Sequence, residues 1–130
     1  MMDFSPLRTE IYLRRLYIKN NVSFVIKYVI LASMDSREKT KEIIKETLIK
    51  RGADFVALFG SFARGEEKNT SDIDVLVNFR EPISLFDHAG LEIELEEKTG
   101  KTVDLVSERG LSKYIRPFIM KELVTLYEGR

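Results

Sequence analysis

The sequence predicts a small α/β domain of the α+β kind, and three observations carry that expectation. Short strand-like runs recur at about 54–59, 72–79 and 101–107. Longer stretches with helical spacing, 35–51, 84–98 and 112–127, alternate with them. A chain of 130 residues that is 44% hydrophobic has enough apolar surface for one core.

The elements are justified in chain order. Asp35, with Glu38 three residues on, resembles a capping box and opens the first helix. Ile43, Ile44, Thr47 and Leu48 form its inward stripe, and Lys50, Arg51 and Gly52 end it. Phe55-Val56-Ala57-Leu58-Phe59 is apolar on both alternating faces, as a buried strand is. It stops at Gly60-Ser61, where backbone can approach a ligand closely. A polar loop leads to the second strand, from Asp72. Arg80-Glu81-Pro82 reads as a turn. Ser84 is a plausible N-cap for the next helix, with Leu85, Phe86, Leu91, Leu95 and Ile93 on its buried face. The acidic run Glu92, Glu94, Glu96 and Glu97 reads as solvated surface. Gly100 ends that helix, and Lys101–Ser107 reads as the third strand. Tyr114, Ile115, Phe118, Ile119, Leu123 and Leu126 give the last segment an amphipathic helical pattern. Pro117 fits only if it falls in that helix's first turns.

Residues 1–33 differ from the rest, with five basic residues against two acidic ones, whereas 34–130 carry an acidic excess. Their apolar stretch, Val22 to Ser33, contains Lys27 and is shorter than the roughly 20 residues of a membrane span. A signal peptide is the competing reading, since basic residues precede the apolar stretch. The natural start could instead be Met34. The domain expected to fold is 34–130, with 1–33 a leader of uncertain status.

Composition excludes several chemistries. With no Cys, disulfides, thiolate zinc sites and thiol nucleophiles are absent. One His, His88, excludes His-rich metal sites and suits a structural role. Lys plus Arg equals Asp plus Glu at 21 each, so nothing favours direct nucleic-acid binding.

The chemistry concentrates in one stretch, Gly60-Ser61-Phe62-Ala63-Arg64-Gly65 followed by Ser71-Asp72-Ile73-Asp74. Period two places Asp72 and Asp74 on one strand face, opposite Ile73, Val75 and Val77. Adjacent carboxylates repel, and a hard cation between them relieves the repulsion. Mg²⁺ favours one or two carboxylates completed by substrate phosphates. Backbone N–H groups and the hydroxyl at Gly60-Ser61 suit those phosphates. Asp-x-Asp alone is common on solvated strands, and so is a Gly-Ser turn. Their succession on strand, turn, loop and strand is far more specific. Arg64 suits either a phosphate or a salt bridge to Glu66 or Glu67. Ser71 could stiffen the loop end.

This stretch resembles the signature of the DNA polymerase β-like nucleotidyltransferases. The downstream Ser84-Leu85-Phe86-Asp87, Leu95-Glu96-Glu97 and Gly100-Lys101-Thr102-Val103-Asp104-Leu105-Val106 narrow the resemblance to the minimal nucleotidyltransferases, which often pair with HEPN-domain toxins. The resemblance implies a nucleotidyltransferase fold, a small mixed β-sheet with helices packed on one face. It implies Asp72, Asp74 and Asp104 as catalytic metal ligands for two Mg²⁺ ions, with Gly60, Ser61, Arg64 and Ser71 on the nucleotide. It also implies cytoplasmic AMP transfer from ATP to a hydroxyl of a HEPN toxin, in a hetero-oligomer and away from membranes. Two rival readings are an antitoxin that acts by binding alone and a transferase acting on a small molecule.

Overall fold

The structure is a computed structural model that describes residues 26, 29, 32, 33, 35–66 and 72–130. The chain divides into two compact units, residues 1–39 and 40–130. The expected leader lies almost wholly outside the described residues, as do Glu67 and Ser71. Among the described residues no helix is long and apolar enough to cross a membrane.

The elements run α1 (Ser36–Lys50), β1 (Ala53–Phe59), α2 (Gly60–Arg64), β2 (Ile73–Phe79), α3 (Leu85–Thr99), β3 (Val103–Ser107), a 3₁₀ turn at Glu108–Gly110, α4 (Arg116–Met120) and β4 (Val124–Glu128). Asp35 opens α1 as expected, its Oδ1 accepting from the Glu38 amide at 2.9 Å. Ser84 caps α3 in the same way, accepting from the Asp87 amide at 3.0 Å. Each cap satisfies an amide that the first helical turn leaves without a partner.

The sheet order is β3-β2-β1-β4. β1 pairs antiparallel with both β2 and β4, and β2 pairs parallel with β3, so the sheet is mixed. The larger core cluster joins Ile44 and Leu48 of α1 and Leu91 and Leu95 of α3 to Val56, Leu58, Val75, Val77, Val103 and Leu105 of the sheet. Both long helices therefore contribute to one core. Phe55, Ala57 and Leu76 form a second cluster, against which Leu111, Ile119, Met120 and Leu123 pack. That cover explains why β1 is apolar on both faces from Phe55 to Phe59.

The expected final helix, 112–127, is not formed. A single turn of helix, α4, carries Pro117 near its start and is followed by strand β4. Two physical terms decide the outcome. Val124-Thr125-Leu126-Tyr127 is β-branched and aromatic, hence strand-prone. The outer edge of β1 also presents backbone groups that need partners, and β4 supplies them through Phe55↔Glu128 to Leu58↔Val124.

Leu85, Phe86 and Ile93 were expected in the core and are instead exposed, at 87%, 90% and 57%. The stripe of α3 that turns inward passes through His88, Leu91, Glu92, Leu95 and Glu96 and leaves the first turn outside it. Tyr114, Ile115 and Phe118 are likewise exposed. The acidic run also departs from expectation. Glu94 pairs with Arg51 at 2.7 Å, and Glu92 and Glu96 are half-buried.

A buried polar pair ties β1 to β2, where Asn78 Nδ2 donates to Asp54 Oδ1 at 2.7 Å and both residues are buried. Asn78→Ala removes the donor and leaves a buried carboxylate short of a partner. The expected cost is about 1–3 kcal/mol, read as a lowered urea midpoint with unchanged slope. A midpoint equal to that of the unaltered chain would show that water replaces the amide.

Candidate active site

β1 ends at Phe59, which pairs with Asp74 on the antiparallel neighbour β2. Asp74 in turn pairs with Asp104 across the parallel β2–β3 ladder. Neighbouring strands lie about 4.8 Å apart, so the two carboxylates leave the same sheet face side by side. Asp72 sits exposed, immediately before β2. The face that bears Asp74 also bears Leu76, which the second cluster covers. The face is thus open only at the aspartate end.

Electrostatics follow from this placement. The Asp74 carboxyl is raised above its ordinary range, first by burial and then by the charges of Asp104 and Asp72, with Arg64 opposing. Asp74 thus feels the charge of both Asp104 and Asp72. Among the described residues no group of three His, Cys, Asp or Glu side chains forms a ready-made metal cluster. The donor set fits a hard cation that takes one or two carboxylates and completes its shell with phosphate oxygens. Hard carboxylate oxygens held together against their mutual repulsion are the ligands that Mg²⁺ prefers.

Gly60 closes the other side. Its φ is +73°, and a Cβ placed there would collide with the Asp74 carboxylate, lying 3.2 Å from its Cγ. A side chain there would have to displace that carboxylate, whereas glycine adopts the conformation without contact. Ser61 follows in the first turn of α2, whose N-cap residue Phe59 makes no side-chain cap. The first amides of a helix have no intrahelical acceptor. Phe62, buried to 1%, plugs α2 into the main core and so fixes Gly60 and Ser61. That anchor went unread in the sequence, where one apolar residue in a polar loop was its only sign.

Arg64 takes the salt-bridge alternative. Its Nε meets Glu66 Oε2 at 3.0 Å and its Nη1 meets Glu122 Oε2 at 2.9 Å. Glu122, from the turn before β4, is a partner that no local spacing signals. Ser71 lies outside the described residues, so its expected contact has no structural counterpart here.

The model of the nucleotidyltransferase domain matches residues 37–126, more than half of the chain and all of the elements that build this site. The chain belongs to the nucleotidyltransferase domain family. Within the family it is similar to a Methanocaldococcus jannaschii protein provisionally named a protein adenylyltransferase. The two are 42% identical over 91 residues, which cover 70% of this chain and 97% of that relative. The protein adenylyltransferase MntA of Thermococcus cleftensis is 40% identical over 80 residues, 62% of this chain and 81% of that one. Among solved structures, one provisionally named a minimal nucleotidyltransferase aligns with a TM-score of 0.62 at 40% identity, over 71% of this chain and 96% of that chain. The fold also matches a chain of the complex of tri-AMPylated Shewanella oneidensis HEPN toxin with MNT antitoxin. That match has a TM-score of 0.60 at 20% identity, over 71% of this chain and 72% of that one. The nucleotidyltransferase reading of the sequence, and the minimal branch of the family within it, are thus shown.

Proposed function

We propose that this nucleotidyltransferase moves AMP from ATP to a hydroxyl of a HEPN-type toxin, the hydroxyl oxygen bonding to the α-phosphorus as pyrophosphate leaves, and thereby acts as its antitoxin in the cytoplasm. The observation that carries the reading is the register of Asp74 against Asp104 beside Gly60. Binding alone does not require interacting carboxylates, which weaken a fold unless a cation offsets them. The names of the relatives support the adenylyl donor, and the toxin complex among the fold neighbours supports the class of partner.

Each residue has a task in this reading. Asp72 and Asp74 would hold Mg²⁺ against the triphosphate, and Asp104 would complete the set. Bound there, Mg²⁺ neutralises phosphate charge and lowers the pKa of an acceptor hydroxyl. Gly60 and Ser61 lie where their backbone can meet the phosphates. Asp104, on β3 and exposed, can accept the proton of an incoming hydroxyl. Arg64 would reach a phosphate by exchanging its contact with Glu66. The partner presents the acceptor, and exposed Leu85, Phe86 and Phe118 offer apolar surface for its docking.

Co-expression with a HEPN protein, followed by intact-mass spectrometry, tests the proposal. The partner should gain AMP beside the unaltered chain. Asp104→Ala should stop the gain while the two chains still co-purify, because Asp104 sits in the site and away from the outer helices. A partner silenced without a mass change, and silenced equally by Asp104→Ala, would establish the binding-only reading.

A further inference from the structure

β3 is an edge strand that carries one of the three aspartates. Its inward groups pair with β2, as in the Ile73 amide donating to the Thr102 carbonyl at 2.8 Å. The backbone groups of Val103 and Leu105 point the other way, off the sheet. Such a row is normally left to water or invites another strand.

Here helix α3 meets it. The Val103 amide donates to Glu96 Oε1 at 3.3 Å, and the Leu105 amide donates to Glu92 Oε1 at 3.3 Å. His88 Nε2 lies 2.6 Å from the Leu105 carbonyl. A carbonyl only accepts, so His88 carries its proton on Nε2 in this contact. The same nitrogen lies 3.5 Å from Glu92 Oε1, which links the two upper rungs.

The three residues recur every four positions on one helical face. Four helical residues rise about 6 Å, and two strand residues span about 6.6 Å. Glu92 and Glu96, one turn apart, therefore keep step with Leu105 and Val103, and His88, a turn further on, reaches the Leu105 carbonyl. His88, Glu92 and Glu96 replace the missing neighbour strand with side-chain rungs, two of them charge-assisted.

We propose that His88, Glu92 and Glu96 are positioning residues that hold β3 in register, so that Asp104 stays opposite Asp74. Asp104 lies between the two pinned amides and on the opposite face. It also faces the like charge of Asp74, which pushes an unrestrained edge strand away. The rungs oppose that push without touching the site. The inference deepens the proposed nucleotide site and rests on that reading for its consequence in metal binding.

Glu92→Ala and Glu92→Gln in the full chain provide the test, with circular dichroism to confirm folding. Three quantities are read: amide hydrogen exchange at Val103 and Leu105, cross-strand NOEs between Asp74 and Asp104, and calorimetric titration of Mg²⁺ in the presence of ATP. Glu92→Ala should speed Leu105 exchange, weaken the NOEs and lower Mg²⁺ affinity about 10-fold, the scale of lost support behind a metal ligand. Glu92→Gln should restore all three, because its amide oxygen still accepts. If Glu92→Ala fails to fold, Glu96→Ala removes the outer rung for the same comparison. Unchanged Leu105 exchange, or lost protection with NOEs and Mg²⁺ affinity intact, would overturn the proposal. An unaltered chain that binds no ATP with Mg²⁺ sinks the nucleotide-site reading instead. Exchange and NOEs then decide the ladder alone, supporting it if Glu92→Ala loses them and Glu92→Gln recovers them, and overturning it otherwise.

Discussion

Asp74→Asn is expected to abolish Mg²⁺-dependent ATP binding and, in metal-free buffer, to raise thermal stability. Both effects have one cause. Asp74 is half-buried and its carboxyl is raised by burial, by Asp104 and by Asp72. An ionised Asp74 therefore costs the empty fold stability, and a neutral amide of the same shape removes that cost together with the ligand charge. Calorimetric titration of ATP with Mg²⁺ measures the loss, and Asp72→Asn should lose binding as well. Wild-type affinity in both variants would remove the two aspartates from the metal site.

The sign of the pH dependence follows from linkage. A carboxyl whose folded pKa is raised binds its proton more tightly in the folded chain than in the unfolded one. Stability then falls as pH climbs from the ordinary carboxylate range through the raised folded value, and stays lower above it. Melts in EDTA should show Asp74→Asn ahead of the unaltered chain at neutral pH. The lead should shrink as pH drops below the ordinary carboxylate range. A lead that persists unchanged in acid would point to packing instead of charge.

The legible part of this molecule is the part in which chemistry dictates residue type and spacing. Gly60, Ser61, Asp72 and Asp74 lie on adjacent strands and a turn, so period two and one glycine were enough to place them. Asp104 is different, because nothing local marks it and only the family resemblance selected it. The end of the chain misled because Tyr114 to Leu126 satisfies a helical spacing while its last residues also alternate with period two. The open edge of β1, a tertiary fact, settled that choice. Leu85 and Phe86 look like core on hydrophobicity alone, and exposure depends on where the helix meets the sheet. Glu92 and Glu96 look like solvated acids until β3 is placed beside them. Arg64 carried two readings, and the choice depended on Glu122, which is remote in sequence.

Gly60→Ala should disable the site as fully as Asp74→Asn does, but with the opposite effect on stability. Two penalties combine at Gly60. At φ +73° a side chain costs about 1–2 kcal/mol of backbone strain. The new Cβ also occupies space held by the Asp74 carboxylate, which must turn away from the metal position. A double-mutant cycle with Asp74→Ala separates the two. With the carboxylate gone, the collision disappears and only backbone strain remains. The cost of Gly60→Ala, measured by urea denaturation, should therefore be smaller in the Asp74→Ala background than in the unaltered chain. Contacting residues couple in this way, whereas independent ones add within about 0.5 kcal/mol. Additive costs would mean that the carboxylate yields freely. Close approach would then not be the reason for glycine at this position, and the loss of ATP binding in Gly60→Ala would have to come from the altered turn alone.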